Sequence, residues 1–302
     1  MRELLPVRTV LPLEPTVTRV LPQRRSAGFP ALDRPLIMGV VNVTPDSFSD
    51  GGRYHDTETA VRHGYDLRGE GADLLDVGGE STRPGATRPL VVEELDRVVP
   101  VIRALAADGI PVSVDTMRSE VAAAALDAGA VMVNDVSGGL ADPDILDVVA
   151  DRGASYVVMH WRAHAAEMQR HATYGDVVAD VVAELRQRVD AALAAGIAGD
   201  RLVVDPGLGF AKTAEHNWEL LRRIDELDAL ELPILVGSSR KSFLGTLLAD
   251  EAGRPRHVLD REDANVALTT IAAIQGVWGV RVHEVRASAD AVAVVARWRG
   301  PR

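Results

Sequence analysis

One phrase recurs along the chain from Leu36 onward: a short, mostly apolar segment, a polar loop, an alanine-rich amphipathic helix, and a glycine before the next apolar segment. Such segments are typical of strands that are buried on both faces of a parallel sheet. Eight strands alternating with eight helices predict an α/β fold, a single-domain (β/α)8 TIM barrel. The predicted strands are Leu36–Val41, Leu74–Val77, Pro111–Val114, Val131–Val133, Ser155–Met159, Leu202–Val204, Ile234–Val236 and Val280–Val282.

An open, doubly wound sheet is the competing architecture. It usually carries a glycine-rich phosphate loop before its first helix, and no GxGxxG motif is present. Residues 1–33 are rich in Pro, Arg and Val and are predicted to form a partly flexible leader, with the barrel domain at 34–302. Asp56 and Ser288 are predicted to be the N-caps of the first and last helices. The helices predicted between them include Val91–Ala107, Ser119–Ala128, Asp176–Ala195 and Ala264–Ile274.

Composition excludes several classes of protein. The chain has 302 residues, of which 47% are hydrophobic, and this is ample for one large core. It has no cysteine, which excludes disulfides and thiolate sites and favours a cytoplasmic location. A net charge of −11 without a basic block argues against nucleic-acid binding, and no apolar run approaches the length of a membrane span.

Polar residues fall where the predicted strands end. A single Asp at a strand end is often only a helix cap, but polar residues follow all eight strands. In a TIM barrel the carboxyl ends of the strands meet at one rim, where active sites are built. The residues concerned are Asn42, Glu80, Asp115, Asn134 with Asp135, His160, Asp205, Ser239 to Lys241, and Arg281 with His283.

Some of these side chains suit a flat heterocycle. Asp115, Asn134 and Asp205 offer oxygen acceptors to the N–H groups of an amino-pyrimidine edge. Lys241 offers a compact cation to a ring oxygen or nitrogen, and it is one of only two lysines in the chain. Phe210 could stack on a planar ring or could be an ordinary core aromatic residue.

A second group of side chains suits an anion. Arg83, Arg281, His283 and Asn42 would gather around a phosphate or diphosphate, with a Mg²⁺ shared between the Asn42 oxygen and the substrate. The alternative for Arg83 and its neighbour Arg88 is a solvated loop. His160 has no evident role and is interpreted as a structural histidine.

These motifs resemble those of the dihydropteroate synthase family of bacterial folate synthesis over about residues 36–298. Seven stretches carry the resemblance in order, and each lies at the end of a predicted strand. They are GVVNVTPDSFSDGG (39–52), DVGGESTRPGA (76–86), SVDT (113–116), NDVSG (134–138), DPGLGF (205–210), GSSRKSF (237–243) and RVH (281–283).

The resemblance implies a transferase that joins 6-hydroxymethyl-7,8-dihydropterin diphosphate to 4-aminobenzoate and releases diphosphate. It also implies Mg²⁺ at Asn42, competition by sulfonamides and a homodimer. Asp46, Arg83, Lys241, Arg281 and His283 are the expected catalytic residues. The expected pterin-binding residues are Asp115, Asn134, Met159, Asp205, Phe210, Gly237 and Lys241, and those for aminobenzoate and diphosphate are Thr82, Arg83, Pro84, Ser239, Arg281 and His283.

Two features depart from the family pattern or lie outside it. Glu284 follows His283 where the family often has Asp, which keeps the charge, and the segment Trp161–Tyr174 is variable with an open role. The loop Thr44–Gly52 is predicted to be a mobile lid.

Two other functions are weighed against the synthase. A catalytically silent pterin-binding homologue would be expected to have lost Asp46, Arg83 or Lys241, and all three are present. A pterin-using methyltransferase on the same barrel would not need the motifs TPDSFSDGG, STRPG or SRKS.

Overall fold

The chain folds into a closed barrel of eight parallel strands, as predicted. The computed structural model describes residues 19–44, 53–80, 88–164 and 167–300. The strands pair in the order β6-β5-β4-β3-β2-β1-β8-β7, and a parallel bridge between Val204 and Ile234 joins the two ends. Their bounds are β1 Leu36–Asn42, β2 Leu74–Gly78, β3 Val112–Asp115, β4 Met132–Asp135, β5 Ser155–Met159, β6 Leu202–Asp205, β7 Leu235–Val236 and β8 Gly279–Val282.

Helices follow the strands around the outside of the barrel. Nine α-helices lie in the described residues, whereas eight were predicted. The extra helix arises because the polar stretch after Leu247, which contains Gly253 and Pro255, divides the β7–β8 connection into two helices. The helices are α1 Arg53–Gly69, α2 Val91–Ala107, α3 Ser119–Asp127, α4 Asp144–Arg152, α5 Val177–Ala194, α6 Ala214–Arg222, α7 Ser242–Leu247, α8 Glu262–Gln275 and α9 Val285–Arg299.

The predicted N-caps of the first and last helices are both wrong. The first helix begins at Arg53, so Asp56 lies inside its first turn. The last helix begins at Val285, and Ser288 is buried within it. The capping pattern misled because an acidic or hydroxyl residue is also tolerated in the first turn of a helix. By contrast, Asp176, where the sequence predicted a helix to begin, is the N-cap of α5 and accepts from the backbone N–H groups of Val178 and Ala179.

Two of the glycines that precede a strand show how the chain leaves a helix and turns back toward the barrel. Gly153 ends α4 with φ 59° and Gly276 ends α8 with φ 88°. Both angles are left-handed, a conformation that glycine adopts without the steric cost of a Cβ. The chain therefore reverses within a few residues and enters the next strand.

The core is divided by the sheet. A large apolar cluster fills the space between strands and helices, and a smaller one closes the barrel interior near the strand starts, at Leu36, Met38 and Leu74. Phe29 and Trp278 pack against the smaller cluster, edge to face with ring centroids 5.5 Å apart. One end of the barrel is therefore sealed by apolar side chains, and the other end is left for polar chemistry.

The described part of the predicted leader lies against this sealed end. The N–H of Leu21 donates to the carbonyl of Gln275 over 2.7 Å, and Arg24 pairs with Asp228 at 2.6 Å. Residues 1–18 lie outside the described part, so the division into leader and barrel domain stays a prediction. In the described ranges, no helix is long and apolar enough to cross a membrane.

Candidate active site

The strand ends at the open rim surround a cavity of about 480 Å³. All seven predicted pterin-binding residues line it, although they come from five different strands or the loops that follow them. Three residues predicted for aminobenzoate or diphosphate join them. The lining thus includes Asp115, Asn134, Met159, Asp205, Phe210, Gly237 and Lys241, together with Ser239, Arg281 and His283.

The three predicted acceptors are held firmly by the ends of β3, β4 and β6. Asp115 and Asn134 are partners in neighbouring strands. Asp205 accepts from the backbone N–H of Gly207 at 2.7 Å through Oδ1. Burial raises the pKa of Asp205, and this hydrogen bond together with nearby Lys241 opposes the shift. The cavity therefore presents oxygen atoms whose positions are fixed before any ligand arrives.

Lys241 and Arg281 both bring a cation to this cavity, and Lys241 lies beside Phe210. Its Nζ lies 4.1 Å from the centroid of the Phe210 ring, which is a cation–π contact. Burial lowers the pKa of Lys241 to about 8, the nearby Arg281 adds to the shift, and Asp205 opposes it. Within the described residues Nζ makes no hydrogen bond, so its N–H groups face the cavity.

Arg281 lies deeper in the barrel than its predicted role in binding diphosphate suggests. Its Nε donates to Asp76 at 2.6 Å and its Nη2 to Asp115 at 2.7 Å. Burial would lower the pKa of Arg281, but the two carboxylates outweigh it and raise the pKa. Burial raises the pKa of Asp115 to about 7, although Arg281 opposes the rise. In this structure the guanidinium of Arg281 therefore lies on the side of the cavity where the carboxylate acceptors are, and it is paired with two of them.

Ser239 and His283 meet where β7 and β8 end. The Ser239 hydroxyl lies 2.9 Å from His283 Nδ1 and 3.3 Å from a carboxylate oxygen of Glu262. Arg240 pairs with the same Glu262 at 3.2 Å and with Glu284 at 3.1 Å. The departure from the family pattern at Glu284 thus keeps a carboxylate that holds Arg240 in place.

Asn42, the predicted Mg²⁺ ligand, ends β1 and is half-buried. It lines a second, wider cavity with His283 and Arg240, whereas Arg281 lines the first. His283 is common to both cavities. No group of three or more His, Asp or Glu side chains that could hold a metal ion occurs in the part of the chain that the structure describes. Asn42 alone offers one amide oxygen, which fits an ion held mainly by water and substrate oxygens.

Four predicted site residues cannot be placed in this geometry. Asp46, Thr82, Arg83 and Pro84 lie outside the described residues, as does most of the predicted lid Thr44–Gly52. The expected roles of these residues stay predictions.

The site contains two residues that were not predicted. Asp76 lies in the middle of β2, fully buried, and contacts both Arg281 and Asn134. Its signal in the sequence is a carboxylate inside an otherwise apolar strand, LLDVG. Lys212 follows Phe210 in the β6–α6 loop, and its signal is the scarcity of lysine in the chain.

Lys212 organises the loop that carries Asp205 and Phe210. Its buried Nζ lies 2.8 Å from His160 Nδ1 and donates to the carbonyls of Gly207 and Phe210, both at 3.1 Å. Three acceptors match the three N–H groups of an ammonium. The same Nζ is fully desolvated, and this burial lowers the pKa of Lys212 to about 7.

His160 connects this lysine to the variable segment. Its Nε2 lies 3.0 Å from Glu184, which also accepts from Arg162 Nε at 3.0 Å. Burial, with Lys212 nearby, lowers the pKa of His160 to about 4, so the ring is neutral and Nε2–H donates to Glu184. This arrangement agrees with the structural role predicted for His160 and gives Arg162, in the segment Trp161–Tyr174, a place in the same network.

Known proteins resemble this chain in sequence and in fold. The family model described as pterin binding enzyme matches residues 38–283. The dihydropteroate synthase of Mycobacterium leprae is 56% identical over 263 residues, which cover 87% of this chain and 93% of that protein. The chain belongs to the dihydropteroate synthase family. The predicted function, dihydropteroate synthesis by a transferase, is thereby confirmed, and the alternative of a silent pterin-binding homologue is not supported.

Solved structures of the family share the fold. The Xanthomonas albilineans dihydropteroate synthase with 4-aminobenzoic acid has a TM-score of 0.81 and 47% identity, covering 89% of this chain and 95% of that one. The Yersinia pestis enzyme in a sulfonamide drug complex has a TM-score of 0.83 and 40% identity, covering 91% and 98%.

Proposed function

We propose that the protein joins 6-hydroxymethyl-7,8-dihydropterin diphosphate to 4-aminobenzoate at the open rim of its barrel, giving 7,8-dihydropteroate and diphosphate. The observation that carries the proposal is the convergence of Asp115, Asn134, Asp205 and Lys241 on one cavity. Three acceptors and one cation complement the donor edge of an amino-pyrimidine and the oxygen or nitrogen on its far side. Phe210 provides an apolar ring beside them.

The reaction breaks the C–O bond between the pterin methylene and the diphosphate, and both electrons leave with the diphosphate oxygen. The aminobenzoate nitrogen then uses its lone pair to form the C–N bond and loses one proton. Positive charge grows on the methylene-pterin, where the carboxylates of Asp115 and Asp205 stabilise it. Negative charge grows on the leaving group, and we assign its stabilisation to His283 and Arg281.

Two ion pairs restrict how far Arg281 can turn toward the leaving group. In the free protein Nε donates to Asp76 and Nη2 donates to Asp115, which uses two of the five N–H groups of the guanidinium. A pterin N–H that donates to Asp115 competes for the same oxygen, so ring binding would weaken one of the two ion pairs. Arg281 would then be free to turn one arm toward the diphosphate.

No side chain needs to act as a nucleophile, because an arylamine is already one. Ser239 lies at the edge of the cavity next to His283 and borders the aminobenzoate pocket in this proposal. A sulfonamide of similar shape would compete there. Thr82, Arg83 and Pro84 are assigned to the same pocket on the resemblance alone.

The proposal includes Mg²⁺. Asn42 would supply one oxygen ligand and the diphosphate would supply others, with water completing the shell. The ion neutralises charge on the leaving group when bound. If so, calorimetry should show that Mg²⁺ tightens binding of the pterin diphosphate but not of the bare pterin, and Asn42→Ala should remove that difference. An equal effect of Mg²⁺ on both ligands would contradict the assignment.

A homodimer in the cytoplasm completes the proposal. Helices α8 and α9 expose large apolar side chains on the outside of the barrel: Ile271 at 47%, Val294 at 66% and Trp298 at 75%. Exposed apolar side chains of this size on two adjacent helices could be buried against a second copy of the chain. Sedimentation of the full chain should give a dimer, and Trp298→Arg should shift it toward monomer. A monomer at all concentrations would overturn this part.

The direct test is turnover. Pure full-length protein, pterin diphosphate, 4-aminobenzoate and Mg²⁺ should release diphosphate and form dihydropteroate in equal amounts. Omission of either substrate should abolish dihydropteroate formation. Asp205→Asn should strongly weaken pterin binding, since an NH₂ donor replaces one of the two acceptor oxygens. Absence of product with all components present would overturn the proposal.

A further inference from the structure

Asp76 is a buried charge beside the cavity residues that the proposed chemistry does not use. It lies in the middle of β2, and its side chain is fully buried. A buried carboxylate is costly unless donors surround it, so its presence in an apolar strand requires a reason. In the part of the chain that the structure describes, Oδ1 has no hydrogen-bond partner, which leaves part of that cost unrelieved.

The other oxygen of Asp76 has two donors. Oδ2 accepts from Asn134 Nδ2 at 2.9 Å and from Arg281 Nε at 2.6 Å. A carboxylate can only accept, so the nitrogen of the Asn134 amide must face Asp76. The Asn134 oxygen consequently faces away from Asp76. Asn134 lines the cavity, and this is the side on which a ligand donor would be received.

The orientation of this amide is decisive for a heterocycle. An amide turned by half a rotation would present its NH₂ group to the cavity, where it would oppose the N–H donors of an amino-pyrimidine edge. Nothing in the side chain of asparagine itself distinguishes the two orientations. The neighbour that distinguishes them here is Asp76.

We propose that Asp76 is a positioning residue for the pterin, which fixes Asn134 as an acceptor and holds Arg281 within the barrel. This inference rests on the proposed function and deepens it. Asp76 does not touch the ligand; it acts through Asn134 and Arg281, which line the cavity. Loss of Asp76 should therefore weaken the use of the pterin substrate and leave the use of aminobenzoate nearly unchanged.

The first test removes the acceptor. Asp76→Leu should raise the KM for pterin diphosphate by about tenfold or more, with the KM for aminobenzoate within about twofold, because an unfixed amide no longer offers its oxygen. Asp76→Asn keeps one acceptor oxygen and should be the milder variant. Asp73→Asn is the matched control, since Asp73 lies just before the same strand at the sealed end, where it pairs with Arg34.

The second test is a double-mutant cycle between positions 76 and 134. Asn134→Asp places two carboxylates face to face and should lower kcat/KM for the pterin substrate strongly. Adding Asp76→Asn restores one donor between them and leaves a carboxylate oxygen toward the cavity. The double variant should therefore recover about tenfold or more over Asn134→Asp alone. This cycle decides the matter if Asp76→Leu does not fold.

Wild-type turnover in the same assay separates this inference from the proposed function. An inactive wild type would overturn the function itself. With an active wild type, a pterin KM that stays within about threefold in folded Asp76→Leu would overturn the positioning role. Additive effects of the two substitutions in the cycle would overturn it as well.

Discussion

Two loops at the rim each carry one of the chain's two lysines, and their nitrogens have opposite surroundings. After β6, Lys212 Nζ is enclosed by His160 Nδ1 and the carbonyls of Gly207 and Phe210. After β7, Lys241 Nζ faces the cavity over the Phe210 ring, with no hydrogen bond to the described residues. Burial lowers the pKa of both, to about 7 and about 8.

The two lysines differ in one property that can distinguish a structural lysine from a ligand-binding one at this rim. Burial and a shifted pKa do not distinguish them, because both lysines have both properties. The partners of the N–H groups do distinguish them. Lys212 Nζ contacts three acceptors of the protein, whereas the N–H groups of Lys241 face the cavity, where a ligand would bind. Phe210 joins the two loops, since its carbonyl accepts from Lys212 and its ring lies beside Lys241.

The largest effect, a loss of stability, is expected from replacing the enclosed Lys212. Lys212→Met leaves His160 Nδ1 and the Phe210 carbonyl without this donor, while the Gly207 carbonyl keeps the Phe210 N–H. It should reduce the free energy of unfolding by about 3 kcal/mol. Lys241→Met is the matched control and should change it by less than about 1 kcal/mol, since no acceptor is orphaned. Urea unfolding of both variants measures the contrast. Equal destabilisation by the two substitutions would remove the distinction between the lysines.

Catalysis should show the reverse order. Lys241→Met should lower kcat/KM for the pterin diphosphate by about 100-fold or more, because a cation aimed at the ligand is lost from a buried site. Folded Lys212→Met should lose far less, since Lys212 contacts no ligand in this account. Steady-state kinetics with pterin diphosphate varied tests this order. A greater loss in Lys212→Met would contradict it.

A smaller effect is expected from pH. Burial raises the pKa of Asp115 to about 7, so its acceptor form is lost as pH falls through that value. Burial lowers the pKa of Lys241 to about 8, so its charge is lost as pH rises through that value. The kcat/KM for pterin diphosphate should therefore peak between them. Lys241→Arg should flatten the alkaline limb because a guanidinium stays charged, and an unchanged limb would assign it to another group.

The smallest effect on kinetics is expected at Gly237, a glycine that lines the cavity beside the two loops. A Cβ at Gly237 would lie 3.7 Å from the Arg281 Cβ and 3.9 Å from Asp205 Oδ2, which are ordinary contacts. Gly237→Ala should thus fold normally but narrow the cavity, raising the KM for the pterin substrate by about three- to tenfold. Gly69→Ala, at the end of α1 with nothing within 4 Å, is the control. Identical kinetics in both would place Gly237 away from the ligand.

Much of the fold could be predicted from the sequence because buried parallel strands are short and apolar. The polar residues that follow each strand could also be recognised from the local sequence. All seven predicted pterin-binding residues reach one cavity for this reason. Asp76 was missed because its hydrogen-bond partners, Asn134 and Arg281, come from other strands. Lys212 was missed because its partner His160 follows another strand, although its two carbonyl partners lie in its own loop. Asn134 is 58 residues from Asp76 in sequence, and local pattern carries no information about that contact.

Helix ends were the weaker part of the prediction. Asp56 and Ser288 have the chemistry of N-caps, but both helices start three residues earlier. The start is decided by where each helix docks on the barrel, and capping propensity is weak beside tertiary packing. The division of the β7–β8 connection into α7 and α8 was also missed, although its cause, the polar stretch with Gly253 and Pro255, is local in the sequence.

The contrast between the two lysines can be measured directly, because a chain with two lysines gives two resolved side-chain signals under selective ¹³Cε-lysine labelling. NMR titration of the wild type with the bare pterin should move one signal and leave the other in place. Lys241→Arg should remove the signal that moves, and the unmoved signal should belong to Lys212. A ligand-induced shift of the Lys212 signal as large as that of Lys241, or movement of neither, would contradict the account.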